Sequence, residues 1–307
     1  MSESKYSNYC EQLYKAMKGV GTDEDTLIKV TTSEPLKERL KIKDKYIVMY
    51  GRDLLDDLKS DLSGNFRKVM LALYTDKYEY DAEQIYTAVK GLGTDEDTLI
   101  EIIASRPGWM LKKIKEAYKR LYEKDLEEDV KKDTSGNFQK LLITLLQCNR
   151  SQNTDADVQK CIQICDELYN AGEKKLGTDE FIFNKYIGNC SPVELMTICR
   201  EYHRKYGKTL IQVIDSEFSG NIKKIIKHVL YANICPSEYF AMRINEAVKG
   251  LGTNEKILNR VIVTRNEIDM PIIKKYYKNL YSKDMVDDIK DDVSGDYKKL
   301  LVALINK

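Results

Sequence analysis

The chain runs to 307 residues, 42% of them hydrophobic and 32% charged, with 50 basic side chains against 49 acidic ones and a net charge of +1. That composition fits a globular fold with a well-solvated surface and lacks the basic excess on which nucleic-acid binding usually rests. Seven cysteines with no C-x2-C pair argue against a zinc site, and buried reduced thiols in a reducing cytosol are the expectation.

Tyr6, Tyr9, Cys10, Leu13, Ala16 and Met17 recur at helical spacing, so a first helix runs into the loop Lys18-Gly19-Val20-Gly21. Thr22 is expected to cap a second helix, with Asp23, Glu24 and Asp25 in its positive first turn. Ser33-Glu34-Pro35 breaks that helix. Leu36, Leu40, Ile47 and Tyr50 mark a third, which Gly51 is placed to close in the left-handed conformation. Asp53 caps a short fourth helix. Asp61-Leu62-Ser63-Gly64 then turns the chain into a fifth, with Phe66, Val69, Met70 and Leu73 on one face. Strand-type alternation is absent, so the fold class is all-α.

The pattern then repeats. Residues 1–5 form a short tail and 6–75 the first repeat, followed by repeats over 78–147, 156–231 and 237–307. The polar stretch 148–155 is the one linker, expected to part the chain into two pairs of repeats. In each repeat an acid follows the last loop glycine by forty residues: Gly21 and Asp61, Gly93 and Asp133, Gly177 and Glu217, Gly252 and Asp292. Each acid opens an acid-x-Ser-Gly motif and could also cap the helix beyond it. The third loop departs from the others, with Lys175 where they have a glycine.

A loop with glycine at alternate positions can turn several carbonyls to one side. Carbonyls plus one carboxylate are hard oxygen ligands, suited to calcium's flexible shell of 6–8 oxygens rather than to magnesium's tight octahedron. Each repeat therefore reads as an incomplete Ca2+ site finished by something else. One carboxylate per ion puts its affinity alone at the weak end, on the order of 10⁻⁴ M. The loop tips Val20, Leu92, Leu176 and Leu251 are apolar, as suits a headgroup boundary, and Lys18, Lys90 and Lys249 add attraction to an anionic leaflet. There is no P-loop and no EF-hand. His203 and His228, the only histidines, have no second group at a spacing that would make either a catalytic base.

With these motifs in view, the chain from Tyr6 to Lys307 resembles an annexin. The resemblance implies a curved disc of four five-helix repeats that binds acidic phospholipid in a calcium-dependent way, with the loops on the convex face and no catalysis. Carried over by position, it implies calcium ligands in the carbonyls of Met17, Gly19 and Gly21 with Asp61. The second repeat would use Val89, Gly91, Gly93 and Asp133, and the fourth Val248, Gly250, Gly252 and Asp292. In the third, Gly172, Lys175 and Gly177 would act with Glu217. The expected partner is an anionic membrane of phosphatidylserine type. The expected state is a cytoplasmic monomer that becomes peripheral to membranes as calcium rises, with self-association there left open. A calcium-independent helical scaffold, for instance a cytoskeletal or partner-binding array, is the competing class. No constellation for an enzyme is present.

Overall fold

Twenty helices build the described residues, 2–175, 177–250 and 252–307 of a computed structural model, and they fall into four sets of five. The first set is α1 (Ser2–Met17), α2 (Glu24–Ser33), α3 (Leu36–Tyr50), α4 (Leu54–Asp61) and α5 (Gly64–Leu73). The second is α6 (Lys77–Val89), α7 (Glu96–Ser105), α8 (Gly108–Tyr122), α9 (Leu126–Asp133) and α10 (Gly136–Leu146). The third is α11 (Val158–Ala171), α12 (Glu180–Asn189), α13 (Pro192–Tyr206), α14 (Leu210–Glu217) and α15 (Gly220–Ile234). The fourth is α16 (Pro236–Val248), α17 (Glu255–Arg265), α18 (Met270–Tyr281), α19 (Met285–Asp292) and α20 (Gly295–Ile305). Residues 2–5, expected as a tail, are already the first turn of α1.

Local signals place most boundaries. Gly51 closes α3 at φ +65, its N–H donating to the Ile47 carbonyl, and Asp53 caps α4 by accepting from the Leu55 N–H at 2.7 Å. Phe66, Val69, Met70 and Leu73 are buried on α5 as their spacing requires. Helix α3 is turned relative to expectation. It buries Arg39, Ile42 and Tyr46, whereas Ile47 stays 43% exposed. An arginine takes the core position because carbonyls surround it: Nε donates to Leu73 O and one terminal nitrogen to Glu34 O, both at 2.6 Å.

The helices gather into two compact units, and their membership differs from the expected pairing. One unit contains Met1–Tyr80 with Phe240–Lys307, and the other Asp81–Tyr239. Repeats one and four thus belong together, as do two and three. In the first unit α2 packs on α20 and α17 on α5; in the second, α7 packs on α15 and α12 on α10. The second helix of each repeat lies against the fifth helix of its mate, reciprocally. The linker does not separate two halves. Its Ser151 N–H donates to Asn189 O at 2.8 Å, and Arg150 donates to Cys190 O at 2.7 Å, binding it to repeat three within the second unit.

Each unit carries a buried cation. Arg39 meets Glu267 at 3.0 Å in the first. In the second, Arg106 pairs bidentately with Asp81, at 2.7 and 3.0 Å, with both side chains almost wholly buried. All seven cysteines are free; Cys10, Cys161, Cys165 and Cys190 are buried, while Cys148, Cys199 and Cys235 are only partly so. Burial pushes the Cys165 and Cys190 thiols up to about 12, which keeps them protonated. Among the described residues, no helix is long and apolar enough to cross a membrane.

Removing one partner of a buried ion pair strands the other charge, at about 3–5 kcal/mol. Arg106→Leu should therefore lower the unfolding free energy by about that amount in urea titrations. The double variant Asp81→Leu/Arg106→Leu should recover most of the loss, since no charge is then stranded.

Candidate metal centres

Three loops share one backbone course. Helices α1, α6 and α16 end at Met17, Val89 and Val248, and two glycines with positive φ follow each. Gly19, Gly91 and Gly250 stand at φ +119, +111 and +125, a region open in practice only to glycine. Gly21, Gly93 and Gly252 follow at +88, +86 and +83. The mouth of each loop is closed by a backbone bond spanning seven residues. Asp23 N–H donates to Ala16 O at 2.8 Å, Asp95 to Ala88 at 2.9 Å and Asn254 to Ala247 at 2.7 Å. Among the described residues, no backbone N–H donates to the carbonyls of Met17, Gly19 and Gly21, or to those of their counterparts in repeats two and four. These oxygens are left to other partners.

The threonine after the loop does not cap the next helix. The cap is the following residue: Asp23, Asp95 and Asn254 accept from the N–H three positions on, and Asp179 accepts from the N–H of Phe181. That bond holds the Asp23 carboxyl below its usual range. The threonine hydroxyl instead crosses to the distant acid. Thr22 Oγ1 donates to Asp61 Oδ2 at 2.7 Å, Thr178 to Glu217 Oε2 at 2.6 Å and Thr253 to Asp292 Oδ2 at 2.5 Å, while Thr94 is shared between the Asp133 carbonyl at 2.9 Å and its Oδ2 at 3.2 Å. The acids are the last residues of α4, α9, α14 and α19 and cap nothing; the cap position of each fifth helix belongs to Ser63, Ser135, Ser219 or Ser294. In the acid-x-Ser-Gly motif the glycine makes the corner, as Gly64 does at φ +60.

The structure thus brings each acid to its own loop. The sequence reading missed the threonine that does so, although the signal was there: a threonine follows the last loop glycine in all four repeats. Val20 and Leu92 are fully exposed tips; Leu176 and Leu251 lie outside the described residues. Beside the second loop an open cleft of about 420 Å³ is lined by Lys90, Lys124, Lys132, Asp129 and Asp133 among others. Lys18 and Lys90 rest over the rings of Tyr14 and Tyr86 at 5.5 and 5.3 Å.

The third loop differs in its upstream half. It is one residue longer, since the closing bond runs from Asp179 N–H to Ala171 O across eight positions. Gly172 has φ −119, and its carbonyl accepts from the Lys175 N–H at 3.0 Å. Lys175 is not in the positive-φ region that its glycine counterparts occupy. The third loop therefore does not share the backbone course of the other three.

A second substitution explains where the loop goes. In repeats one, two and four a buried tyrosine donates to an aspartate on the fourth helix: Tyr46 to Asp57 at 2.8 Å, Tyr118 to Asp129 at 2.8 Å, Tyr277 to Asp288 at 2.7 Å. A basic residue, Arg52, Lys124 or Lys283, attends each aspartate. Repeat three has Val213 at the aspartate's place. Tyr202 donates instead to Glu173 of the loop, at 2.9 Å, and Lys208 pairs with the same carboxylate. Burial and that carboxylate push the Tyr202 hydroxyl well above its ordinary value, so it remains a donor. The loop is held down by its own glutamate.

The donor chemistry fits a hard divalent cation in repeats one, two and four: uncommitted carbonyls on a glycine-only course, with one carboxylate held at the loop. Among the described residues, no cluster of three or more His, Cys, Asp or Glu side chains is placed to hold a metal. Any ion here must take backbone oxygens.

The annexin family model matches residues 8–73, 80–145, 164–229 and 239–304. Annexin A13 of Mus musculus is 44% identical over 296 residues, 96% of this chain and 93% of its own. The solved structure of annexin III superposes with a TM-score of 0.95 at 36% identity, covering 98% of this chain and 94% of that one. Calcium-bound annexin (Sm)1 superposes at 0.85 with 33% identity, over 98% and 90%. The chain belongs to the annexin family, known generally for calcium-dependent binding of phospholipid.

Proposed function

We propose that this protein binds anionic phospholipid surfaces of phosphatidylserine type when calcium is available, that its loops carry the contact, and that it is not an enzyme. The observation that carries this reading is the pairing, in repeats one, two and four, of uncommitted carbonyls with an acid tethered by the loop threonine. Met17, Gly19, Gly21 and Asp61 would hold one ion; Val89, Gly91, Gly93 and Asp133 a second; Val248, Gly250, Gly252 and Asp292 another. When bound, calcium supplies positive charge and coordination positions that a lipid phosphate or carboxylate can complete. The chain's own contribution is to hold these oxygens in place and to present Val20 and Leu92 to the headgroup boundary. Lys18, Lys90 and Lys249 beside the loops favour an anionic leaflet. Gly172, Lys175, Gly177 and Glu217 form the weakest set, because the Gly172 carbonyl is already engaged and Glu173 ties the loop down.

The first expected outcome is co-sedimentation with phosphatidylserine vesicles in calcium and release by chelator. Asp61→Asn, Asp133→Asn and Asp292→Asn together should raise the calcium needed by at least about tenfold, one charged ligand being lost from each of three sites. The threonine bonds survive, because an amide oxygen accepts as well, and apo stability should barely change. Equal binding in chelator would instead support the calcium-independent scaffold.

Leu92→Asp separates the tip from the metal. It should weaken vesicle binding while calcium affinity in solution stays near wild type, as read by calorimetry without lipid. Unchanged vesicle binding would leave only bridging by the ion.

The third site should fill last. Crystals soaked in graded calcium should show density at the first, second and fourth loops before the third, and the reverse order would contradict the role given to Glu173.

A further inference from the structure

The first turn of each second helix stands beside a loop, and its second residue is an aspartate in repeats one and two, Lys256 in repeat four and an aromatic in repeat three alone. Asp25 occupies this place on α2 and meets Lys299 of α20 at 2.8 Å. Asp97 occupies it on α7 and meets Lys224 of α15 at 2.9 Å. Both lysines sit seven residues beyond their own repeat's loop acid, on the fifth helix packed against that turn. In the reciprocal contact of the second unit, α12 packs on α10. The lysine is present, as Lys140, seven residues beyond Asp133. The acid is not: Phe181 stands in its place, 70% exposed.

The register of this contact is set one turn further along, where the Asn184 side chain of α12 donates to the Asn137 carbonyl of α10 at 3.2 Å. Lys140 is exposed and reaches the Asn137 side-chain oxygen at 3.1 Å. Among the described residues, no carboxylate is paired with Lys140 as Asp97 is with Lys224, and Lys68 on α5 likewise meets only its own Asn65 at 3.1 Å. A single exposed aromatic is ordinary on a protein surface. This one replaces a charge that would have neutralised the facing lysine, and it lies three residues beyond Thr178, which holds the acid of the third loop. An exposed aromatic and an exposed ammonium thus stand on the two helices of one contact, near the third loop.

We propose that Phe181 and Lys140 form a membrane contact specific to repeat three, the ring entering the headgroup boundary of an anionic bilayer and the ammonium taking a lipid phosphate. This rests on the membrane reading given above. The partner follows from the chemistry. A carboxylate at position 181 would repel anionic headgroups and neutralise Lys140, whereas phenylalanine supplies apolar area and leaves the cation available. Repeat three, whose loop is tethered and whose carbonyl set is compromised, gains through this pair an attachment that does not depend on its own ion.

The test uses the full chain and vesicles of phosphatidylserine with phosphatidylcholine, the latter brominated in its acyl chains. In the Trp109→Phe/Phe181→Trp variant, the new indole should shift to the blue and be quenched by the brominated lipid in calcium, and return to its solution emission in chelator. Phe181→Asp should weaken vesicle binding about fivefold at fixed calcium, the loss expected for roughly half-burying an aromatic side chain. Calcium binding without lipid should stay unchanged. Since Phe181→Asp restores the acid seen in repeats one and two, at the positive end of a helix, folding should be retained and far-UV circular dichroism unaltered. Lys140→Gln should give a smaller loss that disappears at high salt. If wild-type protein binds vesicles in calcium while Phe181→Asp binds equally and the indole is not quenched, the contact is overturned and the membrane reading stands. If wild type fails to bind vesicles at millimolar calcium, both fall.

Discussion

One hydrogen bond, from a loop threonine to an acid 39 residues further along, connects the two halves of every repeat. Without it the glycine loop would be a turn between two helices and the acid the frayed end of a third. A hydroxyl donor suits this task. It orients one carboxylate oxygen and leaves the other free, and it adds no charge that would compete with a cation. The glycines above it supply the complementary constraint, since a φ near +120 directs carbonyls where a side chain would not allow them. Together they place oxygen ligands from two distant segments at one point while the loop itself remains short.

Much of this was legible in the residues, and for a definite reason. Fourfold repetition turns weak local signals into a strong one, so the five helices, the loops and their acids could all be read by comparing the chain with itself. Caps and corners such as Asp53 and Gly51 depend on neighbours only and were read correctly. What escaped depends on partners distant in sequence. Thr22 looked like a cap because its partner lies beyond two intervening helices. Arg39 did not look like a core residue because the carbonyls that solvate it come from the residue capping α2 and from α5. The mating of repeats one and four was invisible as well, since spacing along the chain carries no record of which fifth helix meets which second helix.

Repeat three shows how one substitution propagates. Val213 replaces an aspartate, the buried Tyr202 hydroxyl still needs an acceptor, and Glu173 leaves the loop's solvent side to supply it. The extra residue in this loop gives the slack for that reach. The same repeat carries lysine in place of the glycine at position 175 and phenylalanine at 181, where repeats one and two have an acid, so three of its differences bear on one loop. Its buried framework, including Phe183, Ile187, Ile198 and Ile214, remains intact.

The composition of the first compact unit bears on how the chain must be made. Its stitches join residues 231 apart, as from Leu36 to Glu267, and 274 apart, as from Asp25 to Lys299. During synthesis from the N-terminus, α2 and α5 leave the ribosome long before α17 and α20 exist to cover them, whereas the second unit is contiguous and can close on its own. The order of assembly is thereby written into the fold: the middle first, then the ends. Until the last helix emerges, the opening repeat lacks the surfaces of α17 and α20 that cover it in the finished fold.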